Sequence, residues 1–371
     1  MNNRRTLSVL ILFAVVAGLL YWYSTSETQV SARPIGQRIG IPAPLGLPPI
    51  PYPVDNPPTL ETIALGRRLY FDKRLSSDDT VACSTCHDPA FGFSDPRPVS
   101  EGVEKRRGTR NSPTVLNSVY YSTQFWDGRA ASLEQQAQGP MQNPVEMAHS
   151  LRGVEKKLAD DASYDAEFKK AFGPGPIRIQ RVVNAISAFE RTLVSGNSPF
   201  DRWYYGHDEK AVSDSVKRGF EVFRDAKKGN CESCHTVNEH YALFTDNKFH
   251  NIGVGATEDK VADRGRFDVT KADADTAAFK TSSLRNIAIT APYFHDGSRK
   301  TLKEVMDFYI GGGNSNPHLD KEVHSLDFLT AQERADLIAF MESLTGEMPK
   351  NSGPLQQNTA EKSSQTQPEG K

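Results

Sequence analysis

Two five-residue stretches concentrate the reactive side chains of this chain: Cys83-Ser84-Thr85-Cys86-His87 and Cys231-Glu232-Ser233-Cys234-His235. Each reads C-x-x-C-H, and together they use all four cysteines. Two thiols about one helical turn apart can reach the two vinyl groups of one porphyrin, and the adjacent His then offers a ring nitrogen to the iron. A zinc site would need a fourth ligand, and a thioredoxin-like dithiol has no use for the following His. The pattern predicts two covalent haem c groups. Cys83, Cys86, Cys231 and Cys234 would attach them, and His87 and His235 would be the proximal ligands to iron.

Each motif needs helices to hold it. Leu65-Gly66-Arg67-Arg68-Leu69-Tyr70-Phe71-Asp72 precedes the first, and Lys217-Arg218-Gly219-Phe220-Glu221-Val222-Phe223-Arg224 precedes the second. Both runs place apolar residues at helical spacing, as in a class I cytochrome c lobe. Further helices are expected at Leu133–Ala137, Leu151–Ala159, Tyr164–Phe172, Ile177–Val194, Leu302–Tyr309 and Ala331–Leu344, and strand-like runs are scarce. The fold class that follows is mainly α, with two tandem class I cytochrome c-like haem domains at 59–198 and 199–348.

The 371 residues suffice for two or three domains. A net charge of -2 gives no reason to expect nucleic acid as a partner. Covalent haem attachment belongs to the export side of a membrane, and the N-terminus agrees. Arg4-Arg5 precede an uncharged run from Thr6 to Tyr23 that ends in Tyr21-Trp22-Tyr23. That run is about as long as a bilayer core requires, with a positive inner flank and an aromatic outer one. A cleaved signal peptide ending near Val30-Ser31-Ala32 is the rival. The expectation is an uncleaved anchor at 1–23 that tethers a periplasmic body to the inner membrane. Residues 24–58 are proline-rich and read as a semi-rigid spacer, and 349–371 as a disordered tail.

Several motifs add a resemblance. Arg110-Asn111-Ser112-Pro113-Thr114-Val115-Leu116-Asn117 is followed by Gln124-Phe125-Trp126-Asp127-Gly128-Arg129-Ala130. Gly139-Pro140, Val145-Glu146-Met147, Ser283-Leu284-Arg285-Asn286 and Ala291-Pro292-Tyr293-Phe294-His295 come next. From about Leu60 to Gly346 this order resembles the bacterial dihaem cytochrome c peroxidase/MauG family. The resemblance implies that peroxide reacts at the N-terminal haem. Glu146 would serve there as the distal acid–base group, with Gln136 beside it and Pro140 lining the pocket. Breaking an O–O bond heterolytically needs a proton removed from one oxygen and delivered to the other, which a carboxylate can do. Trp126 would lie between the haems and carry charge. Asn111, Thr290 and Pro292 would supply oxygens to one calcium ion, a suitable ligand type.

Two register counts set this chain apart within the resemblance. Peroxidases activated by reduction carry a displaceable His sixteen residues after the proximal one; here that position is Val103, and no His occurs from Asp88 to Ala148. The first haem should be open from the start, which points toward the MauG-like branch. On the second haem, the sixth ligand falls fourteen residues after His295, at Tyr309. Met306 lies one turn earlier on the same helical face and competes for the role. A phenolate favours ferric iron, and a thioether favours ferrous.

The function implied is a dihaem peroxidase that reduces hydrogen peroxide at the first haem. Electrons would come through the second haem from a small redox protein, such as a cytochrome c or cupredoxin, or from a protein substrate. A dihaem electron carrier without peroxide chemistry is the alternative from another class. An open first haem with Glu146 beside it argues against that, because a carrier saturates both irons.

Overall fold

The computed structural model describes residues 31–354, so the expected anchor at 1–23 lies outside the described residues. No helix among the described residues is long and apolar enough to cross a membrane. Nine helices of six residues or more carry the described body: α1 (Leu60–Tyr70), α2 (Leu133–Gln142), α3 (Leu151–Ala159), α4 (Ala162–Phe172), α5 (Ile179–Glu190), α6 (Pro199–Tyr204), α7 (Asp214–Arg224), α8 (Leu302–Ile310) and α9 (Ala331–Glu342). The only named strands among the described residues are β1 (Phe249–His250) and β2 (Phe279–Lys280), an antiparallel pair with Phe249 opposite Lys280. The mainly helical expectation holds. The principal helices fall within a few residues of where periodicity placed them, except that α2 runs five residues past Ala137, with Pro140 inside it.

Side-chain caps explain where these helices begin. Thr59 Oγ1 accepts from the Thr62 N–H while Thr62 Oγ1 accepts from the Thr59 N–H, opening α1 reciprocally. Thr330 and Glu333 do the same for α9. Buried side chains gather in two main clusters, one drawn from residues 65–186 and the other from 200–344. These clusters sit on the two sides of the proposed 198/199 boundary.

Each cluster is organised by one helix crossing. In the first, α1 packs on α5; in the second, α7 packs on α9. A glycine sits at each crossing. A Cβ on Gly66 would collide with the Ala185 carbonyl, and a Cβ on Gly219 with the Asp336 carbonyl. The repeated Gly in the two helices that precede the haem motifs is therefore a close-approach requirement.

The proline-rich stretch does not behave as a free spacer over its described part, residues 31–58. Leu47 and Ile50 bury themselves with Val119 and Val194. The Tyr120 hydroxyl donates to Pro48 O (2.9 Å), Arg285 Nη2 to Gly46 O (2.6 Å) and Asn184 Nδ2 to Ala32 O (2.9 Å). Prolines keep the strap extended and remove N–H donors, which leaves its carbonyls as acceptors for side chains from both lobes. At the other end, Arg67 binds the carbonyls of Gly353 and Pro354, so the first described part of the expected tail returns to α1. The rest of that tail lies outside the described residues.

Candidate haem sites and the lobe junction

Cys83–Cys86 form a single helical turn, and the His87 N–H closes it on Cys83 O (3.0 Å). The second motif winds as a 3-10 turn, with the His235 N–H on Cys231 O (2.8 Å). None of the four cysteines is paired. Burial pushes the Cys231 thiol up to about 12 and that of Cys86 up to about 11, with Asp95 and Glu146 adding to the rise at Cys86. Thiols in such surroundings are poor nucleophiles, which disfavours a dithiol redox site.

The histidines suit iron. His235 Nδ1 faces Phe244 O at 2.9 Å, so a proton on that nitrogen leaves Nε2 as the free donor to a metal. His87 Nδ1 is buried beside the Phe93 and Pro113 carbonyls without a partner at bonding geometry. Burial lowers both imidazoles from their ordinary value, which keeps them neutral, as ligands must be. These residues fit two covalently held haems. Mass spectrometry after acid–acetone extraction should find both haem masses retained on the polypeptide. Cys83→Ala and Cys231→Ala should each weaken attachment only at the local site.

Near Cys86 of the first motif, Asn143 Nδ2 donates to Glu146 Oε1 (2.6 Å), and Oε2 has no protein hydrogen bond among the described residues. Burial raises the Glu146 carboxyl, opposed by the Asn143 hydrogen bond and the Arg129 charge. The Val103 N–H donates to Glu146 O (2.8 Å), and the Val103 side chain packs into the first core with Met141 and Met147. A Cβ on the neighbouring Gly102 would run into the Val145 and Glu146 carbonyls. The loop that would carry a switching ligand is thus sealed against the Glu146 turn. Gln136 and Pro140 stand one turn apart on α2, and the Gln136 amide has no protein partner among the described residues.

The lobes repeat more of each other than the helices before the haem motifs suggest. Asn117 and Asn286 both take left-handed backbone (φ 63° and 62°), as do Phe125 and Phe294 (φ 68° and 69°). The bridge Gln124–Ala130 corresponds to Tyr293–Arg299, and α2, capped by Ser132, to α8, capped by Thr301. In this register Trp126 corresponds to His295, and Pro140 to Tyr309. Sequence periodicity misses this because few identities survive, scattered as Asn117/Asn286, Phe125/Phe294, Asp127-Gly128/Asp296-Gly297 and Leu133/Leu302.

The equivalent residues Trp126 and His295 meet at the lobe junction, ring centroids 6.4 Å apart and edge to face. Trp126 Nε1 donates to Asn111 O (2.9 Å), and the Asn111 N–H donates to His295 O (2.7 Å). His295 stacks on Phe279 at 3.6 Å, and burial drives its imidazole down to about 4. Arg110 locks the junction: Nη1 binds Asp127 (2.6 Å), while Nε and Nη2 clasp Asp263 (2.7 and 2.8 Å). Asn143 and Asp263 belong to no motif, and the motifs containing Arg110 and His295 give those two side chains no role, yet all four shape the Glu146 turn and the junction.

Asn111 Nδ2 is turned to the Arg97 and Pro98 carbonyls (3.3 and 3.2 Å). Thr290 and Pro292 lie on the facing segment of the second lobe, with Pro292 after a cis peptide bond. Tyr309 sits beside the second site. Burial raises its hydroxyl well above an ordinary phenol, the Cys231 and Cys234 sulfurs add to the rise, and the hydroxyl has no protein hydrogen bond among the described residues. Met306 is buried in the second core, on the same helix. His250 is held between Asp320 (2.5 Å) and Asp246 (3.0 Å).

Comparison with known proteins identifies the family. The profile of the family described as "Di-haem cytochrome c peroxidase" matches residues 60–209. The methylamine utilization protein MauG of Methylophilus methylotrophus is 42% identical over 306 residues, 82% of this chain and 89% of the relative. The cytochrome c551 peroxidase of Pseudomonas aeruginosa is 38% identical over 297 residues, 78% of this chain and 80% of the relative. Among solved structures, a MauG-like protein associated with microbial copper homeostasis superposes with a TM-score of 0.74 at 35% identity, covering 82% of this chain and 95% of that one. This chain belongs to the di-haem cytochrome c peroxidase family and is a haem oxidoreductase with two haem c groups.

Proposed function

We propose that the chain reduces hydrogen peroxide at the His87 site, without prior reduction. Electrons enter through the second lobe from a small redox protein, a cytochrome c or cupredoxin, or from a protein substrate. The observation that carries this reading is the lobe equivalence. Where α8 offers Tyr309 to the second site, α2 offers Pro140, which has no side-chain atom able to bind iron. The only other segment expected to supply a ligand places Val103 in the core.

Haem held by Cys83, Cys86 and His87 would supply an iron to which peroxide can bind and the electrons that reduce it, to be replaced by the donor. The protein supplies the protons. Reducing one peroxide to two waters consumes two electrons and two protons. Glu146, oriented by Asn143, accepts a proton from one peroxide oxygen and gives it to the other as the O–O bond breaks. Gln136 orients the oxygens, and Pro140 keeps water out of the pocket. Trp126, fixed by Asn111 and packed on His295, carries charge across the junction. Steady-state turnover of peroxide with ascorbate as electron source tests the activity; absence of turnover would leave only electron carriage.

Tyr309 is the proposed sixth ligand at the His235 site, because its buried hydroxyl has no protein hydrogen bond among the described residues and is near enough to the two attachment cysteines for their charge to raise it. Tyr309→Phe should abolish the low-spin phenolate signature, and Met306→Leu should leave it nearly intact. The opposite pattern would assign the site to Met306.

One calcium ion at Asn111 Oδ1 and the Thr290 and Pro292 carbonyls belongs to this proposal. No cluster of three His, Cys, Asp or Glu suited to a metal occurs among the described residues, so its ligands would be neutral oxygens and its affinity modest. Export to the periplasmic side and tethering through residues 1–23 complete it, supported by the basic flank and apolar run of that segment.

A further inference from the structure

The second lobe contains a band of aromatic rings that the proton and charge steps above leave unused. Its inner part is phenylalanine. Phe200, Phe220, Phe223, Phe244 and Phe340 are buried against one another, Phe223 and Phe340 at 4.8 Å between centroids. Its outer rim is made of three consecutive residues of a different kind, Trp203, Tyr204 and Tyr205, all half-buried at the end of α6. Tyr204 stacks on Phe200 at 5.3 Å, with Trp203 at 5.9 Å from Tyr204 and Tyr205 at 5.1 Å.

This rim is joined to the second haem loop twice. The Tyr205 hydroxyl donates to Asn238 O (3.0 Å), three residues beyond His235, and Cys231 and Val237 pack on the same cluster as the three rim residues. From the inside, Phe244 fixes His235 through its carbonyl and places its ring 5.4 Å from Phe200. A short run of touching rings therefore leads from the residues that hold the second site to solvent. Phenylalanine resists one-electron oxidation, whereas tryptophan and tyrosine yield to it; within the run from Phe244 through Phe200, the oxidisable rings stand at the outer end.

We propose that Trp203, Tyr204 and Tyr205 are a redox-active exit from the second lobe, where oxidising equivalents derived from peroxide appear at the surface as one-electron oxidation of these side chains. The proposal rests on the peroxide reading above. For two tyrosines the balance is closed: one peroxide and two phenols give two waters and two tyrosyl radicals. The O–O bond breaks, and each phenol loses one electron and its hydroxyl proton. A tryptophan contributes likewise through its indole N–H. A donor then returns one electron and one proton to each radical.

The test uses the diferric holoprotein, stoichiometric hydrogen peroxide, no electron donor and the spin trap 2-methyl-2-nitrosopropane, followed by peptide mapping. Trap adducts should fall mainly on the peptide containing residues 203–205, several-fold above those containing Trp126 or Tyr309, and ascorbate added before the trap should remove them. The ring-preserving triple variant Trp203→Phe, Tyr204→Phe, Tyr205→Phe should lose the label. Its oxidised spectrum should form at the wild-type rate and decay more slowly. Adducts confined to other peptides in the wild-type protein, or a triple variant with unchanged decay, would overturn the exit. A wild-type protein that leaves peroxide unconsumed would overturn the peroxide reading, and the exit with it.

Discussion

Stopped-flow mixing of the diferric protein with one equivalent of hydrogen peroxide should change the Soret spectrum at once, with no reductant present. Glu146→Gln should slow that change by about a hundred- to ten-thousand-fold, the range typical for losing a positioned acid–base group. The substitution keeps the side-chain shape and a partner for Asn143, so haem content should not move. The pH profile adds a second readout. Glu146 must be ionised to accept a proton, and burial raises its pKa. Activity should therefore fail on acidification at a higher pH than an ordinary Glu, near about 4.3, would allow. In Glu146→Gln that acid limb should disappear. If the diferric protein is inert and only a half-reduced form reacts, another residue caps the first iron. His149 and Met147 are the first candidates. Neither is idle as folded: His149 Nδ1 faces Leu75 O at 3.3 Å, and Met147 is packed in the first core. Capping would thus require the Glu146 turn to rearrange.

Arg285→Met should be the most destabilising single change in the second lobe. Its guanidinium clasps Asp201 through two hydrogen bonds (2.9 and 2.8 Å) and also donates to Ala242 O and Gly46 O (both 2.6 Å). Both partners of the ion pair are buried, at 1% and 0% side-chain exposure. Removing one leaves the Asp201 carboxylate in the interior without its counter-charge, at a cost of about 3–5 kcal/mol. The strap around Gly46 loses its hold at the same time. Urea unfolding of the holoprotein followed by circular dichroism measures the loss. Replacing both residues, Arg285→Met with Asp201→Leu, should recover part of it, because no orphaned charge remains. A single-variant loss below about 1 kcal/mol, the value of an exposed pair, would mean that water reaches the carboxylate.

Arg285 also illustrates how the sequence reads. The motif Ser283-Leu284-Arg285-Asn286 identifies the family, yet nothing in it says that Arg285 faces Asp201 across 84 residues. Local chemistry was legible throughout. Helix periods, caps and the two C-x-x-C-H motifs depend on neighbours a few positions away, so the helical fold and the haem attachment follow from the chain alone. The places of Tyr309 and Val103 come instead from counts that the family resemblance supplies.

Long-range pairing was not legible. The proline-rich strap reads as a spacer because proline fixes local geometry; its burial depends on Val119, Val194 and Arg285, which lie far along the chain. The correspondence of Pro140 with Tyr309, and of Trp126 with His295, is carried by left-handed turns at a few scattered identical residues and by bridges whose residues differ between the lobes, too sparse a signal for periodicity. What the sequence determined by itself was which residues are able to attach haem and ligate iron, since covalent reach and ligand chemistry are properties of residue type and spacing. What only the tertiary structure decided was which of them face one another. Trp126 meets His295, Val103 turns into the core and Glu146 is held by Asn143, because packing and hydrogen-bond satisfaction are settled between segments that spacing cannot relate.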